Sequence, residues 1–181
     1  MGAPSFPRYF NPEDLGMSLK EVSMDLVKTS RRDVIARWFH SSQDADLFIW
    51  MDLQRNIIKQ QLSYYGQVVE WNVIEGVKTG HVVVEDSHVH GQRSEFLSFD
   101  ERPQRTSVDQ ALRLLSAVTA LKDDERKVLE ENFLRFNQSQ VMPAAEVVAR
   151  FGELMGRGDL PPAENSLWKR FVSRLSRWFK A

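Results

Sequence analysis

The stretch VVEWNVI at residues 68–74 is the part of the sequence that most directly decides the fold. β-branched and aromatic side chains favour strands because they pack well on a pleated, half-buried surface. Glu75 and Gly76 follow at once and end the run, since glycine weakens the interior of a strand. On either side of it, further apolar and aromatic runs lie at residues 47–51, 57–65, 81–85 and 96–99. The sequence therefore predicts a series of short strands.

The short connections between these strands determine whether neighbouring strands run parallel or antiparallel. A parallel pair needs a crossover of about a dozen residues, whereas antiparallel neighbours need only a tight turn. We therefore expect an antiparallel meander of about five strands over residues 46–99, with a turn at 78–80 and a polar loop at 87–94. Apolar residues between 47 and 65 also recur at helical spacing, so a single helix over this stretch stays open as the alternative.

Helices are predicted on both sides of the meander. Ser18 and Glu21 match a capping box, in which a hydroxyl and a carboxylate satisfy free backbone amides, and they predict a helix over residues 18–40. Ser107 and Gln110 repeat the pattern and predict helices from 107 to about 136, with a restart at 122–124. The predicted fold class is thus α+β, an antiparallel meander flanked by an N-terminal helix and several C-terminal helices.

The chain divides into four predicted parts. Residues 1–17 are rich in proline and predict an irregular arm, and residues 18–136 form the α+β body. Residues 137–162 hold a linker and a short helix that begins at Pro143, because proline is tolerated in the first turn. Residues 163–181 form a final helix.

The composition is that of a globular chain and argues against several classes of protein. Of 181 residues, 42% are apolar and 27% are charged, which is the usual globular balance. The formal net charge of −1 argues against a dedicated nucleic-acid-binding domain, which carries a basic excess. The chain has no cysteine, so thiolate metal sites and cysteine nucleophiles are excluded. No apolar run approaches the ~18 residues of a membrane span. We expect a cytoplasmic protein and leave association with a membrane surface open.

The segment 163–181 separates basic and apolar residues onto two sides of a helix. Its five basic residues stand against Glu164, which gives +4, so the rest of the chain carries −5. A basic amphipathic helix can dock in a partner's groove, lie on an anionic membrane or pack on its own chain. The side chains expected to make the external contacts are Trp168, Arg170, Phe171, Arg174, Leu175, Arg177, Trp178 and Phe179.

The predicted function is a non-enzymatic bacterial adaptor or regulatory interaction module. Neither a nucleophile elbow nor a phosphate-binding glycine loop is present, so we assign no catalytic residue and no cofactor. We expect a protein partner first and a peripheral anionic membrane second, and no nucleic acid. The sequence leaves the oligomeric state open.

One alternative is a small metal-dependent enzyme or sensor. His88, His90 and Glu95 form a His-x-His-x4-Glu pattern that resembles the first half of the cupin metal motif. The second half of that motif needs a later histidine, and none follows His90. We therefore assign no metal ligand. Another alternative is ligand binding by aromatic side chains of the sheet, for which the candidates are Trp38, Trp50, Trp71, Tyr64 and Tyr65.

Overall fold

A computed structural model describes residues 10–23, 34–73, 75–86 and 93–135. In these ranges, seven antiparallel strands form one sheet in which every strand pairs with its neighbour in the sequence. The strands are β1 (Lys20–Glu21), β2 (Ile35–Ser41), β3 (Ala45–Met51), β4 (Ile57–Tyr64), β5 (Gln67–Asn72), β6 (Gly76–Asp86) and β7 (Arg93–Phe99). The helices are α1 (Pro12–Ser18), α2 (Arg105–Ser116) and α3 (Asp123–Leu134). The predicted α+β class and the antiparallel meander are confirmed.

The register of the strands divides the sheet into two faces, because directly opposed residues of an antiparallel pair point to the same side. One row across β2 to β5 consists of Phe39, Leu47, Leu62 and Val69, and the other consists of Trp38, Phe48, Gln61 and Glu70. The helices lie on the side of the first row. Tyr64 Oη donates to the carbonyl of Ser107 in α2 at 2.9 Å, and Gln60 Nε2 donates to the carbonyl of Leu129 in α3 at 2.8 Å. We call this side the helix face.

The hydrophobic core fills the space between the helix face and the helices. Its fully buried side chains include Leu15, Phe39, Leu47, Ile49, Leu62, Val69, Leu114, Leu115, Leu129 and Phe133. Two polar side chains within it pair with each other, since the Gln60 side chain also accepts a hydrogen bond from Asn132 Nδ2 at 2.9 Å. Burial raises the pKa of the Tyr64 phenol well above its ordinary value.

Arg37 of β2 forms ion pairs that connect β1, β2 and α3 at one edge of the core. Its guanidinium donates to both carboxylate oxygens of Glu21 in β1, at 2.6 and 2.9 Å, and also to Glu125 of α3. The hydrogen bond to Glu21 is the main cause that raises the pKa of Arg37, with burial opposing it. The two edge residues of β1 are thereby held to β2 by side chains as well as by backbone pairing.

The predicted helix over residues 18–40 is wrong where the structure describes it. The helix lies earlier, at Pro12–Ser18, inside the predicted irregular arm. Asn11 Oδ1 accepts from the amide of Glu13 at 3.1 Å, and Pro12 occupies the first turn. Residues 35–41 are instead a strand because they pair along their whole length with β3. This hairpin pairing outweighs the helical spacing of the apolar residues.

The predicted turn at 78–80 is also wrong, whereas the two strands missing from the predicted meander are β1 and β2, which overlap the predicted helix. β6 runs without a turn from Gly76 to Asp86, and Gly80 lies opposite Phe99. A Cβ atom at Gly80 would lie 2.2 Å from the carbonyl oxygen of Ser98, so glycine here permits a close approach of β7. The break at Gly76 is confirmed, with a φ of 74° that favours glycine.

Three further predictions have mixed outcomes. The stretch 47–65 is two strands and not one helix, and the restart of a helix at 122–124 is confirmed by α3. The second capping box is wrong, because α2 begins at Arg105 and its N-cap, Gln104, makes no side-chain cap hydrogen bond. The predicted parts 137–162 and 163–181 lie outside the described residues.

A candidate interaction face on the sheet

The side of the sheet away from the helices carries aromatic and polar side chains, and we call it the second face. It is formed by Trp38, Asp46, Phe48, Trp50, Lys59, Gln61, Ser63, Val68, Glu70 and Asn72. The alternation of β3 brings Asp46, Phe48 and Trp50 to this side, whereas Leu47 and Ile49 between them enter the core. The same side-chain period that builds the core therefore also builds the second face.

Three aromatic rings stack along this face, and we call them the aromatic row. The ring centroids of Trp38 and Phe48 are 5.9 Å apart, and those of Phe48 and Trp50 are 5.7 Å apart. Offset stacking at such distances stabilises aromatic pairs beyond the burial of their area. The row gives β2 and β3 a flat apolar surface of the kind that binds other aromatic or apolar side chains.

A polar cluster lies next to the aromatic row on β4 and β5. Lys59 Nζ lies 2.9 Å from Glu70 Oε2, an ion pair whose angles do not meet those of a hydrogen bond. Asn72 Nδ2 donates to Glu70 Oε1 at 3.2 Å and to Glu75 Oε2 at 3.1 Å. The Lys59 ammonium also lies 5.2 Å from the centroid of the Trp50 ring, a cation–π contact that joins the cluster to the row.

The outer edge of the polar cluster is formed by Glu75 and Lys78. Lys78 Nζ lies 2.5 Å from Glu75 Oε1, and the amide of Glu75 donates to Asn72 Oδ1 at 2.8 Å. Burial pushes the pKa of the Glu75 carboxyl upward, but the hydrogen bonds with Lys78 and Asn72 outweigh it and leave the pKa below its usual range. Glu75 is therefore held in its charged form.

At the other end of the face, the Asp46 carboxylate forms hydrogen bonds with two side chains. Asp46 Oδ1 accepts from Trp38 Nε1 at 2.7 Å and lies 2.8 Å from His40 Nδ1. The hydrogen bond to Asp46 raises the pKa of His40, with burial opposing it. Burial raises the pKa of nearby Asp44, and the charge of Asp46 adds to this effect.

The cluster around Asp46 does not have the order of a catalytic triad. Across the strands, Asp46 lies opposite His40 on one side and opposite Ser63 on the other. A nucleophile relay needs the histidine between the serine and the carboxylate. With the carboxylate in the middle, the arrangement orients the Trp38 and His40 rings and serves the packing of the face.

Most residues that the sequence analysis selected lie outside the described part of the chain. This applies to Trp168, Arg170, Phe171, Arg174, Leu175, Arg177, Trp178 and Phe179, and to His88 and His90. Glu95 lies in β7, but only its backbone is described. Among the described residues, no group of three or more histidine and acidic side chains is placed to hold a metal ion.

The structure separates the five aromatic residues that the sequence analysis proposed as a binding set. Trp38 and Trp50 lie on the second face, whereas Tyr64 and Trp71 belong to the helix-face core. Tyr65 lies in the turn after β4, and its ring centroid is 5.1 Å from that of Phe10. The five rings therefore do not form one site.

The sequence analysis missed the polar cluster of Lys59, Glu70 and Asn72. Alternate polar residues in β4 and β5 are a signal that one face of these strands is polar. The register that places Lys59 beside Asn72 and Gln61 beside Glu70 is decided by the turn at Tyr65 and Gly66, whose φ angles are 47° and 75°. The pairs could therefore not be read from the pattern of either strand alone.

No protein-family model, curated protein or solved structure matches this chain. Within the described ranges, every helix is too short or too polar to pass through a membrane.

Proposed function

We propose that this protein is a non-enzymatic adaptor or regulatory interaction module, whose segment 163–181 docks as a basic amphipathic helix on a protein partner. The observation that supports the proposal is the hydrophobic core of the described body. Among the described residues, the helix-face core extends from Leu15 to Phe133, and its central polar groups, Gln60 and Asn132, pair with each other. A body with its own core leaves a terminal amphipathic segment available for binding.

The engagement of polar groups in the described body supports a role without catalysis. Asp46 accepts from two rings, and Lys59 is paired with Glu70. Catalytic groups need a reactive atom within reach of a substrate. Groups that are tied to structural partners in this way are suited to holding a surface in shape.

The charges and apolar side chains of the segment indicate the kind of partner surface that it binds. Residues 163–181 carry +4, and their apolar side includes Trp168, Phe171, Leu175 and Phe179. A helix of this kind fits an apolar groove with an acidic rim, where aromatic anchors give affinity and arginines give orientation. We therefore expect a partner with such a groove.

The proposal is tested in the full chain with two variants of the segment. R170E/R174E/R177E removes the cationic contacts, and F171S/L175S/F179S removes the apolar anchors. Partners captured by the parent chain and lost with both variants are purified and titrated. At about 0.2–1 kcal/mol per exposed ion pair, the loss of three such pairs should weaken binding by about 3- to 100-fold.

Vesicles distinguish a protein partner from a membrane. Phosphatidylserine vesicles that bind the parent chain, in the absence of any variant-sensitive protein, would assign the segment to a membrane surface. Unchanged capture by both variants, without vesicle binding, would contradict the proposed function.

A further inference from the structure

We draw no further inference here: the strongest candidate, the buried second face of the sheet with its aromatic row and the Lys59–Glu70 pair, carries nothing because nothing in the described part of the chain shows what covers it.

Discussion

At the scale of single residues, the ion pair of Lys59 and Glu70 is the contact on which the second face most depends. The variant K59M leaves the Glu70 carboxylate buried without its counter-ion, and breaking a buried pair in this way costs about 3–5 kcal/mol. We expect urea unfolding of K59M to give a free energy of unfolding lower by that amount.

Two control variants show whether the loss comes from the unpaired charge. K59M/E70Q removes both charges and should recover most of the stability, because a buried pair contributes little beyond an uncharged replacement. K127M removes an exposed lysine of α3 and should change the free energy of unfolding by less than about 0.5 kcal/mol. A double variant no more stable than K59M would refute this account.

His40 makes the stability depend on pH. Its pKa is raised in the folded protein by the hydrogen bond to Asp46, so the protonated ring stabilises the fold. This contribution is fully present below the ordinary pKa of 6.5 and is lost as the pH rises through the raised value. H40Q should therefore lower the Tm more at pH 5.5 than at pH 9, as measured by thermal unfolding in buffers of equal ionic strength.

The comparison variant for this effect is H81Q, which replaces an exposed histidine of β6. At pH 5.5, H81Q should lower the Tm less than H40Q does, because the side chain of His81 is exposed. An H40Q difference that grows with rising pH would show that the contact with Asp46 does not favour the protonated ring.

At the scale of elements, α1 docks on α2 through a glycine contact. A Cβ atom at Gly16 would lie 2.2 Å from the carbonyl oxygen of Leu114. G16A must therefore push the two helices apart, and overpacking of this kind costs about 1–3 kcal/mol. Hydrogen exchange should show faster exchange of the α1 amides, and chemical unfolding should show the lower stability.

Met17 provides the matched control for α1. It is 48% exposed on the same helix, so M17A should leave both measurements nearly unchanged. A G16A chain with the exchange pattern of M17A would contradict the close packing of α1 on α2.

The elements also show where local patterns decide structure and where they do not. The run at residues 68–74 and its neighbours at 47–51 and 57–65 were predicted as strands, and all three are strands. The residues from Ile35 to Ser41 have apolar side chains at helical spacing, yet they form β2. Their backbone groups pair with β3 over seven positions, across a turn of three residues.

At the scale of the whole molecule, the proposed function predicts unequal effects for core and tail variants. L115A removes a fully buried side chain between α2 and the sheet and should lower the free energy of unfolding by about 2–5 kcal/mol. F171S/L175S/F179S should lower it less and leave one cooperative transition. Chemical unfolding followed by fluorescence and circular dichroism measures both.

The opposite result would show that residues 163–181 contribute to the core. If the tail variant unfolds the chain as severely as L115A, residues 163–181 belong to the core and are not available to a partner. The proposed function would then lose its main support.

The sequence by itself determined the α+β class, the antiparallel direction of the strands and the absence of thiol chemistry. These properties follow from side-chain periodicity, from the length of the connections and from composition, all of which are local. Only the tertiary structure decided that β2 is a strand, that β6 continues through Gly80, and that Lys59 pairs with Glu70. The physical reason is that register and close approach depend on which residues of neighbouring strands meet across the sheet, and these contacts outweigh the small differences in local preference.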